Sequence, residues 1–345
     1  MAAMIRSGFT TPLRVGITYN LKQHSTSAVV DHEAEYDDLS TIEAISQALT
    51  EGGHPVILLE ADKELPCKLQ SRPVDIVFNI AEGRQGRARE AQVPALLGFY
   101  GIPYTGSDET TLCLALDKAL TKRLLSTWRI RSPRSRLLAR GQSRLSGSIA
   151  FPAIIKPNAE GSSKGISPIS VVAGPDELHQ VTRTLMARYD QDLLVEAFIA
   201  GREFTVGILG NGEDLHVFPP MEIIYRKQDN PYNIYDYTVK QNYRELIEYA
   251  CPAALDRRTE AQIIRTARRI FTGLGCRDCA RIDFRLSPTG DLYFIEINPL
   301  PGLAPGYSDF PMIAEFCSMD YGSLVRAILH AAMKRYGLSD SCQQG

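Results

Sequence analysis

Arg281-Ile282-Asp283-Phe284-Arg285 and Leu292-Tyr293-Phe294-Ile295-Glu296-Ile297-Asn298 decide the reading of this chain. The turn signal Pro288-Thr289-Gly290 stands between them, which predicts a hairpin of two short strands. Strand side chains alternate with period two, so Arg281, Asp283 and Arg285 share one face, while Glu296 and Asn298 share a face of the second strand. Paired, the strands would bring two carboxylates and an amide together. Such oxygen ligands suit Mg²⁺, which needs one or two carboxylates and takes its remaining ligands from water or substrate phosphates. The pattern therefore points to an enzyme that uses a nucleoside triphosphate. The plainer reading of Asp283 and Glu296 is a solvated or salt-bridged hairpin with Arg281 and Arg285 as partners. In the functional reading Arg281 orients a reacting oxygen or neutralises charge developing on it, which suits the fixed fork of guanidinium donors.

A second constellation lies upstream, where Ile154-Ile155-Lys156-Pro157 is followed by Glu160-Gly161-Ser162-Ser163-Lys164-Gly165-Ile166. Glycines permit close backbone approach, serine hydroxyls and backbone N–H groups donate to phosphate oxygens, and Lys156 or Lys164 adds positive charge. The spacing is not that of the G-x-x-x-x-G-K-[ST] loop. By itself a Gly-Ser segment reads as a flexible surface loop; the carboxylate hairpin is what favours a phosphate role.

Working outward, Leu13 to Thr18, Val56 to Leu59 and Val74 to Ile80 are strand candidates, and Ser40 to Thr50 is helix-like. This alternation predicts a parallel-sheet α/β domain over the first hundred residues. Leu112 to Leu125 reads as one helix with Asp117-Lys118 inside it, Phe151 to Lys156 as a strand and Pro175 to Tyr189 as a helix. Leu193 to Phe198 and Phe204 to Leu209 follow as strands, and Thr259 to Leu274 and Tyr321 to Tyr336 as helices. Pro219 to Pro252 is polar, tyrosine-rich and poor in periodicity, which predicts a long loop; with Ser162-Ser163 it would form a lid over the site.

The length of 345 residues allows two or three domains, and a net charge of -2 gives no general reason for nucleic acid or an anionic membrane as partner. No apolar stretch approaches a membrane span, and Met1 to Pro12 lacks a secretory segment, so a cytoplasmic protein is expected. Seven cysteines, an odd number, argue against a fully paired disulfide scaffold. Cys276 and Cys279 form an isolated C-x-x-C; packing beside the Asp283 strand is favoured over a zinc or redox role.

Taken in order, these segments resemble the ATP-grasp superfamily, and within it the D-alanine:D-alanine ligase family. The likeness is carried by Gly101 to Ser107, Asp117-Lys118, Ile155-Lys156-Pro157, Glu160 to Ser163, Gly201 to Thr205, Cys251-Pro252-Ala253, Arg281-Ile282-Asp283, Glu296-Ile297-Asn298 and Pro301-Gly302. The resemblance implies an α/β protein with an α+β, three-domain ATP-grasp fold. Its N-terminal parallel-sheet preATP-grasp domain would span 1–107, a central subdomain with the phosphate loop 108–195, and a C-terminal subdomain with the metal site and substrate loop 196–345. It further implies that Lys118, Lys156 and Lys240 contact nucleotide phosphates, with Ser162 and Ser163 as mobile donors. Glu196, Glu203 and the backbone of Ala197, Phe198 and Ile199 would bind adenine and ribose. Asp283, Glu296 and Asn298 would hold Mg²⁺, as two ions, with Mn²⁺ as an alternative, and Arg281, Ser163 and Lys240 would serve catalysis. A homodimer is also implied.

The departures fall in the amino-acid machinery. The family carries Gly-Gly-x-Ser-x-Glu after the first strand, whose Glu fixes the first substrate's ammonium, whereas this chain continues Ile17-Thr18-Tyr19-Asn20-Leu21-Lys22. Glu33 and Glu35 are the nearby substitutes. Asn79-Ile80-Ala81-Glu82-Gly83 and Gly86 to Glu90 replace the family's His-Gly and Glu-Asp-Gly surroundings, Gln241 follows Lys240 where tyrosine is usual, and Pro299 to Gly302 and Gly306-Tyr307-Ser308-Asp309 also differ. The implied reaction is ATP-dependent activation of a carboxylate as an acyl phosphate, its capture by an amino acid's amine, and release of ADP and phosphate. Two alternatives accompany it: ligation of an amino acid to mycosporine-glycine through a C–N (imine) bond, and a noncatalytic nucleotide sensor.

Overall fold

The computed structural model describes residues 12–23, 31, 33–142, 144–161, 164–167, 170–226, 232, 234–235 and 237–338. Among these residues the named strands form three sheets. Strands β1 (Val15–Tyr19), β2 (Val56–Glu60) and β3 (Ile76–Asn79) make a parallel sheet in the order β2-β1-β3, as the alternating pattern predicts. Helix Leu39–Glu51 lays Ile42, Ile45 and Leu49, one helical stripe, on this sheet. The same helix packs against Tyr321–Arg335. Val15, Ile17 and Phe78 consequently lie in one continuous apolar core with Phe218, Phe310, Leu324 and Ile328, which joins the first sheet to the last part of the chain.

Strands β4 (Ser135–Leu138), β5 (Ala153–Pro157), β6 (Val171–Val172) and β7 (Leu193–Ala197) form an antiparallel sheet in the order β4-β7-β5-β6. Strand β7 runs through the boundary expected between 195 and 196, because Glu196 and Ala197 pair with Ile154 and Ala153.

The third sheet has the order β11-β10-β8-β12-β13, with β9 also on β8. Its strands are β8 (Arg202–Leu209), β9 (His216–Val217), β10 (Met221–Tyr225), β11 (Ile247–Ala250), β12 (Cys279–Leu286) and β13 (Leu292–Asn298). Helix Arg257–Gly273, capped by the Asp256 carboxylate, buries Ile263, Ala267, Ile270 and Phe271 against Ala280, Ile282 and Phe284 of β12.

The expected hairpin is β12 and β13, with Arg281 opposite Asn298 and Asp283 opposite Glu296. It contains a bulge that the alternation rule does not supply. Phe284 pairs with Phe294, so Ile295 is an extra residue on β13. A regular ladder continued from Leu286 and Leu292 would set Ile295 against Asp283 and turn Glu296 to the core side with Ile282. The extra residue turns Glu296 and Asn298 to the side of Arg281 and Asp283.

Two expectations need correction. The helix expected from Leu112 to Leu125 is two helices, Glu109–Leu116 and Lys118–Thr127. Asp117 separates them, because its carboxylate caps the second by accepting from Leu120 N–H and also accepts from Asn158 Nδ2 at 2.8 Å and Arg87 at 2.6 Å. The stretch from Pro219 to Pro252 is not a loop throughout. It contains β10, β11 and the short helices Tyr237–Gln241 and Tyr243–Leu246. Its polarity misleads because β10 and β11 are the outermost strands on that side of the sheet, where polar side chains such as Glu222 pair with neighbours, here Arg202 at 2.6 Å. Cys276 and Cys279 are free and buried, in separate cores.

Asp278 ties the ends of the molecule together. Fully buried and at φ 65°, it accepts from Gly106 N–H at 2.8 Å, Asn211 Nδ2 at 2.7 Å and Arg335 at 2.7 Å. Removing one member of a buried pair leaves the other charge without compensation. Asp278→Ala is therefore expected to lower unfolding free energy by about 3 kcal/mol, measured by denaturant unfolding, with faster amide exchange at Gly106.

Candidate active site

A cavity open to solvent lies between the four-stranded and six-stranded sheets. Strands β5 and β7 present Lys156 and Glu196 to it, β8 presents Glu203, and the hairpin presents Arg281, Asp283 and Glu296. A second cavity lies between the segments around the first sheet and the Pro299 to Ser308 loop. Lys240, Arg281 and Glu296 line both, so the cavities meet at these three side chains.

The first cavity is floored by buried charge. Glu196 lies 3.0 Å from the Lys122 ammonium and 3.5 Å from that of Lys156, and all three side chains are buried. Burial pulls the Lys122 ammonium down to about 8 against the opposing pull of Glu196. Burial pushes the Glu196 carboxyl up, but Lys122 and Lys156 outweigh it and hold it below its usual range. Lys122 also donates to the carbonyl of Ile295 at 2.8 Å, the residue that the bulge leaves over. Lys118, at the start of its helix, donates to the Glu160 carbonyl and lies 3.7 Å from Glu296.

On the hairpin, Asp283 accepts from Arg281 Nε at 3.1 Å, Arg281 Nη2 at 3.0 Å, Thr205 at 2.6 Å and Asn298 Nδ2 at 3.3 Å. Burial raises its carboxyl against the Arg281 guanidinium. For Glu296 burial is outweighed by Lys118, Lys156 and Arg281, which bring it to about 2. Among the described residues no group of three or more His, Cys, Asp or Glu is gathered for a metal ion. The hairpin instead offers two opposed carboxylates and the Asn298 amide, a donor set that fits Mg²⁺ when phosphate completes its shell.

Arg281 is held on both sides, by Asp283 and by Asp309, whose Oδ2 lies 3.4 Å from its Nη1. Asp309 in turn accepts from Tyr235 at 3.2 Å and Tyr249 at 3.1 Å. Lys240, on Tyr237–Gln241, lies 5.7 Å from the centre of the Tyr307 ring, and burial lowers its ammonium against the pull of Asp309. Glu203 accepts from Tyr225 at 2.7 Å and Arg285 at 2.6 Å. Ala197 and Phe198 N–H groups are committed to Arg134 and Pro152 carbonyls, each at 2.9 Å. The Ile199 N–H donates no hydrogen bond among the described residues.

Lys156, Glu196, Ala197, Phe198, Ile199, Glu203, Lys240, Arg281, Asp283 and Glu296 thus surround one cavity, while Lys118 and Asn298 line the other. Ser162 and Ser163 lie outside the described residues. Glu35, one of the two substitutes for the missing ammonium-binding Glu, is committed instead to Arg89 and to Gly161 N–H, both at 2.5 Å. Two buried site residues, Lys122 and Asp309, escaped the sequence reading. The first sits one helical turn from Lys118, a signal that could have found it. Asp309 follows Tyr307-Ser308, and no local pattern turns it inward.

The sheets and the charged cleft between them define an ATP-grasp fold. The D-alanine–D-alanine ligase of Bacillus anthracis, in a crystal structure complexed with ATP, shares that fold with a TM-score of 0.73 at 19% identity, over 94% of this chain and 99% of that one. The VanG D-Ala:D-Ser ligase of Enterococcus faecalis gives 0.70 at 20% identity, over 93% and 99%. Residues 131–330 match the family described as D-ala D-ala ligase C-terminus. The D-alanine–D-alanine ligase of Aquifex aeolicus is 36% identical over 84% of this chain and 94% of its own. An uncharacterised Sinorhizobium fredii protein, y4sG, is 33% identical over 85% and 88%. The chain belongs to the D-alanine–D-alanine ligase family, whose members are ATP-dependent carbon–nitrogen ligases.

Asp309→Asn keeps the shape beside Arg281 but removes one of its two counter-charges. Substrate-dependent turnover is expected to fall by about tenfold, close to 1.4 kcal/mol, with ATP affinity within twofold, from steady-state kinetics and calorimetry on the same protein.

Proposed function

We propose that this ligase activates a small carboxylate with ATP and joins it to the amine of an amino acid, with release of ADP and phosphate. The meeting of the two cavities at Lys240, Arg281 and Glu296 carries this reading, since it gives a nucleotide and a small substrate one shared wall. In the first cavity the apolar side chains of Ile154, Phe198, Phe204 and Ile223 suit adenine, with the Ile199 N–H as a donor to its edge and Glu203 toward the ribose. Lys156, Lys118 and Lys240 would meet the phosphates, with Ser162 and Ser163 as further donors. Asp283, Glu296 and Asn298 would hold Mg²⁺, as two ions, which supplies charge neutralisation on the triphosphate.

The chemistry proceeds by attack of a substrate carboxylate oxygen on the γ-phosphorus, with ADP leaving. The neutral amine then attacks the acyl carbon, the carbon–oxygen bond to phosphate breaks, and the nitrogen loses a proton. Arg281, fixed by two carboxylates, is a preorganised cation at the shared wall and would stabilise oxygen charge as the amine adds. No protein nucleophile is required. Closure of the cleft over the reactants would keep water from the acyl phosphate.

Phosphate release with MgATP and paired amino acids, with products identified by mass spectrometry, tests this reading. Arg281→Met should lower kcat by about 10²- to 10³-fold while ATP still binds. Lys240→Ala should impair turnover more than folding. ATP binding with no substrate-dependent phosphate release across a broad panel of neutral and basic amino acids would sink the proposal in favour of a nucleotide sensor.

A further inference from the structure

The second cavity is lined by charge of both signs. Its lining includes the cations Lys118, Lys240 and Arg281 and, from the first part of the chain, the carboxylates Asp37, Glu82 and Glu90. Asp37 stands in the segment before helix Leu39–Glu51, Glu82 follows β3, and Glu90 lies in the helical turn Arg89–Ala91. Glu90 is only 8% exposed. None of these three carboxylates accepts a hydrogen bond or forms an ion pair among the described residues.

The neighbouring cations are engaged elsewhere. Lys22 pairs with Asp38 at 2.7 Å. Arg89 gives its guanidinium hydrogen bonds and ion pairs to the Ala159 carbonyl at 2.7 Å, Glu35 at 2.5 Å and Glu160 at 3.3 Å. Lys118 serves the Glu160 carbonyl and Glu296. Burial holds the Asp37 carboxyl at about 7 despite Lys22, and that of Glu90 at about 7 despite Arg89. Burial, with Glu90 and Glu35 nearby, pushes Glu82 well above its usual range.

Glu90 is withdrawn from water and Asp37 and Glu82 are half-buried, and carboxylates so placed without partners are unfavourable unless a proton or a cation supplies positive charge. A single α-ammonium compensates one of three. We propose that the substrate seated in this cavity is a basic amino acid, with its side-chain ammonium or guanidinium against Glu82 and Glu90 and its carboxylate facing Arg281 and Lys240. The inference rests on the ligase reading for its chemistry and names the substrate class of that site. It also accounts for the position of Glu82, which stands where the family's histidine surroundings are replaced. A half-buried, unpaired Glu there favours a cation and disfavours an uncharged side chain of the same length, because the uncharged group leaves these carboxylates uncompensated.

The full-length protein should be assayed for MgATP-dependent ligation of lysine, ornithine and arginine, each enantiomer, beside alanine and the uncharged isosteres norleucine and citrulline. Lysine or arginine is expected to exceed its isostere in kcat/KM by at least about a hundredfold. Glu90→Gln and, separately, Glu82→Gln should raise KM for the basic substrate by about tenfold or more, with ATP affinity within twofold as the check on folding. Ligation of alanine or norleucine as efficiently as lysine overturns the inference and leaves the ligase reading intact. Should no amino acid be ligated, the ligase reading falls, and calorimetry on protein loaded with a nonhydrolysable ATP analogue decides the inference. Preferential binding of lysine or arginine over its isostere, lost in both variants, upholds it, and equal or absent binding overturns it.

Discussion

The register of β12 is the constraint on which the rest depends. This strand is paired on both sides, with β8 and with β13, and a slip of one residue would exchange its two faces. In the observed register Ala280, Ile282 and Phe284 are fully buried under helix Arg257–Gly273, while Arg281 and Asp283 face the cleft and Arg285 reaches Glu203. Burial of the apolar face therefore fixes the charged face. Folding and the placing of the site are one event here, since the residues that would be lost from the core are those interleaved with the site residues.

Around that strand the cleft is built from charges contributed by separate parts of the chain. Lys122 comes from a helix, Lys156 and Glu196 from the middle sheet, and Glu296 from the hairpin. None is stable in such a place alone, and each offsets the burial of another. The result sets Lys122 and Lys156 beside Glu196 in the cleft and holds Arg281 between Asp283 and Asp309. Rigidity at the shared wall is what transition-state stabilisation needs, because donors fixed beforehand do not have to reorganise during reaction.

The first part of the chain is fastened to this cleft in two ways. Its sheet shares an apolar core with Phe310 and helix Tyr321–Arg335. Polar contacts also reach the phosphate-loop region, where Asp31 accepts from Gly165 N–H at 2.8 Å and Glu35 from Gly161 N–H at 2.5 Å. Asp31 and Glu35 thus fasten the first part of the chain to the backbone at Gly165 and Gly161. The second cavity takes Asp37, Glu82 and Glu90 from the same region, so under the proposed reading nucleotide and small substrate meet different residues of one cleft.

How much of this was legible in the sequence follows from the range of the forces involved. Period-two alternation and a Pro-Thr-Gly turn are local, and they announced the hairpin; spacing along the chain announced the parallel sheet and the lysine and carboxylate motifs. The break at Asp117 was also local, and an N-cap reading of that aspartate would have found it. The bulge at Ile295 was not, because an extra residue in a ladder is set by two partner strands and by Lys122 from a distant helix. Nor could sequence show that Glu35 is committed to Arg89, that Asp309 closes on Arg281, or that Asp37, Glu82 and Glu90 line one cavity. By itself the sequence determined which residue types could bind a triphosphate and that Lys156, Glu196, Asp283 and Glu296 stand on strands. The tertiary structure decided which charges are paired and which are left facing the substrate, because compensation of buried charge depends on distances between segments far apart in the chain.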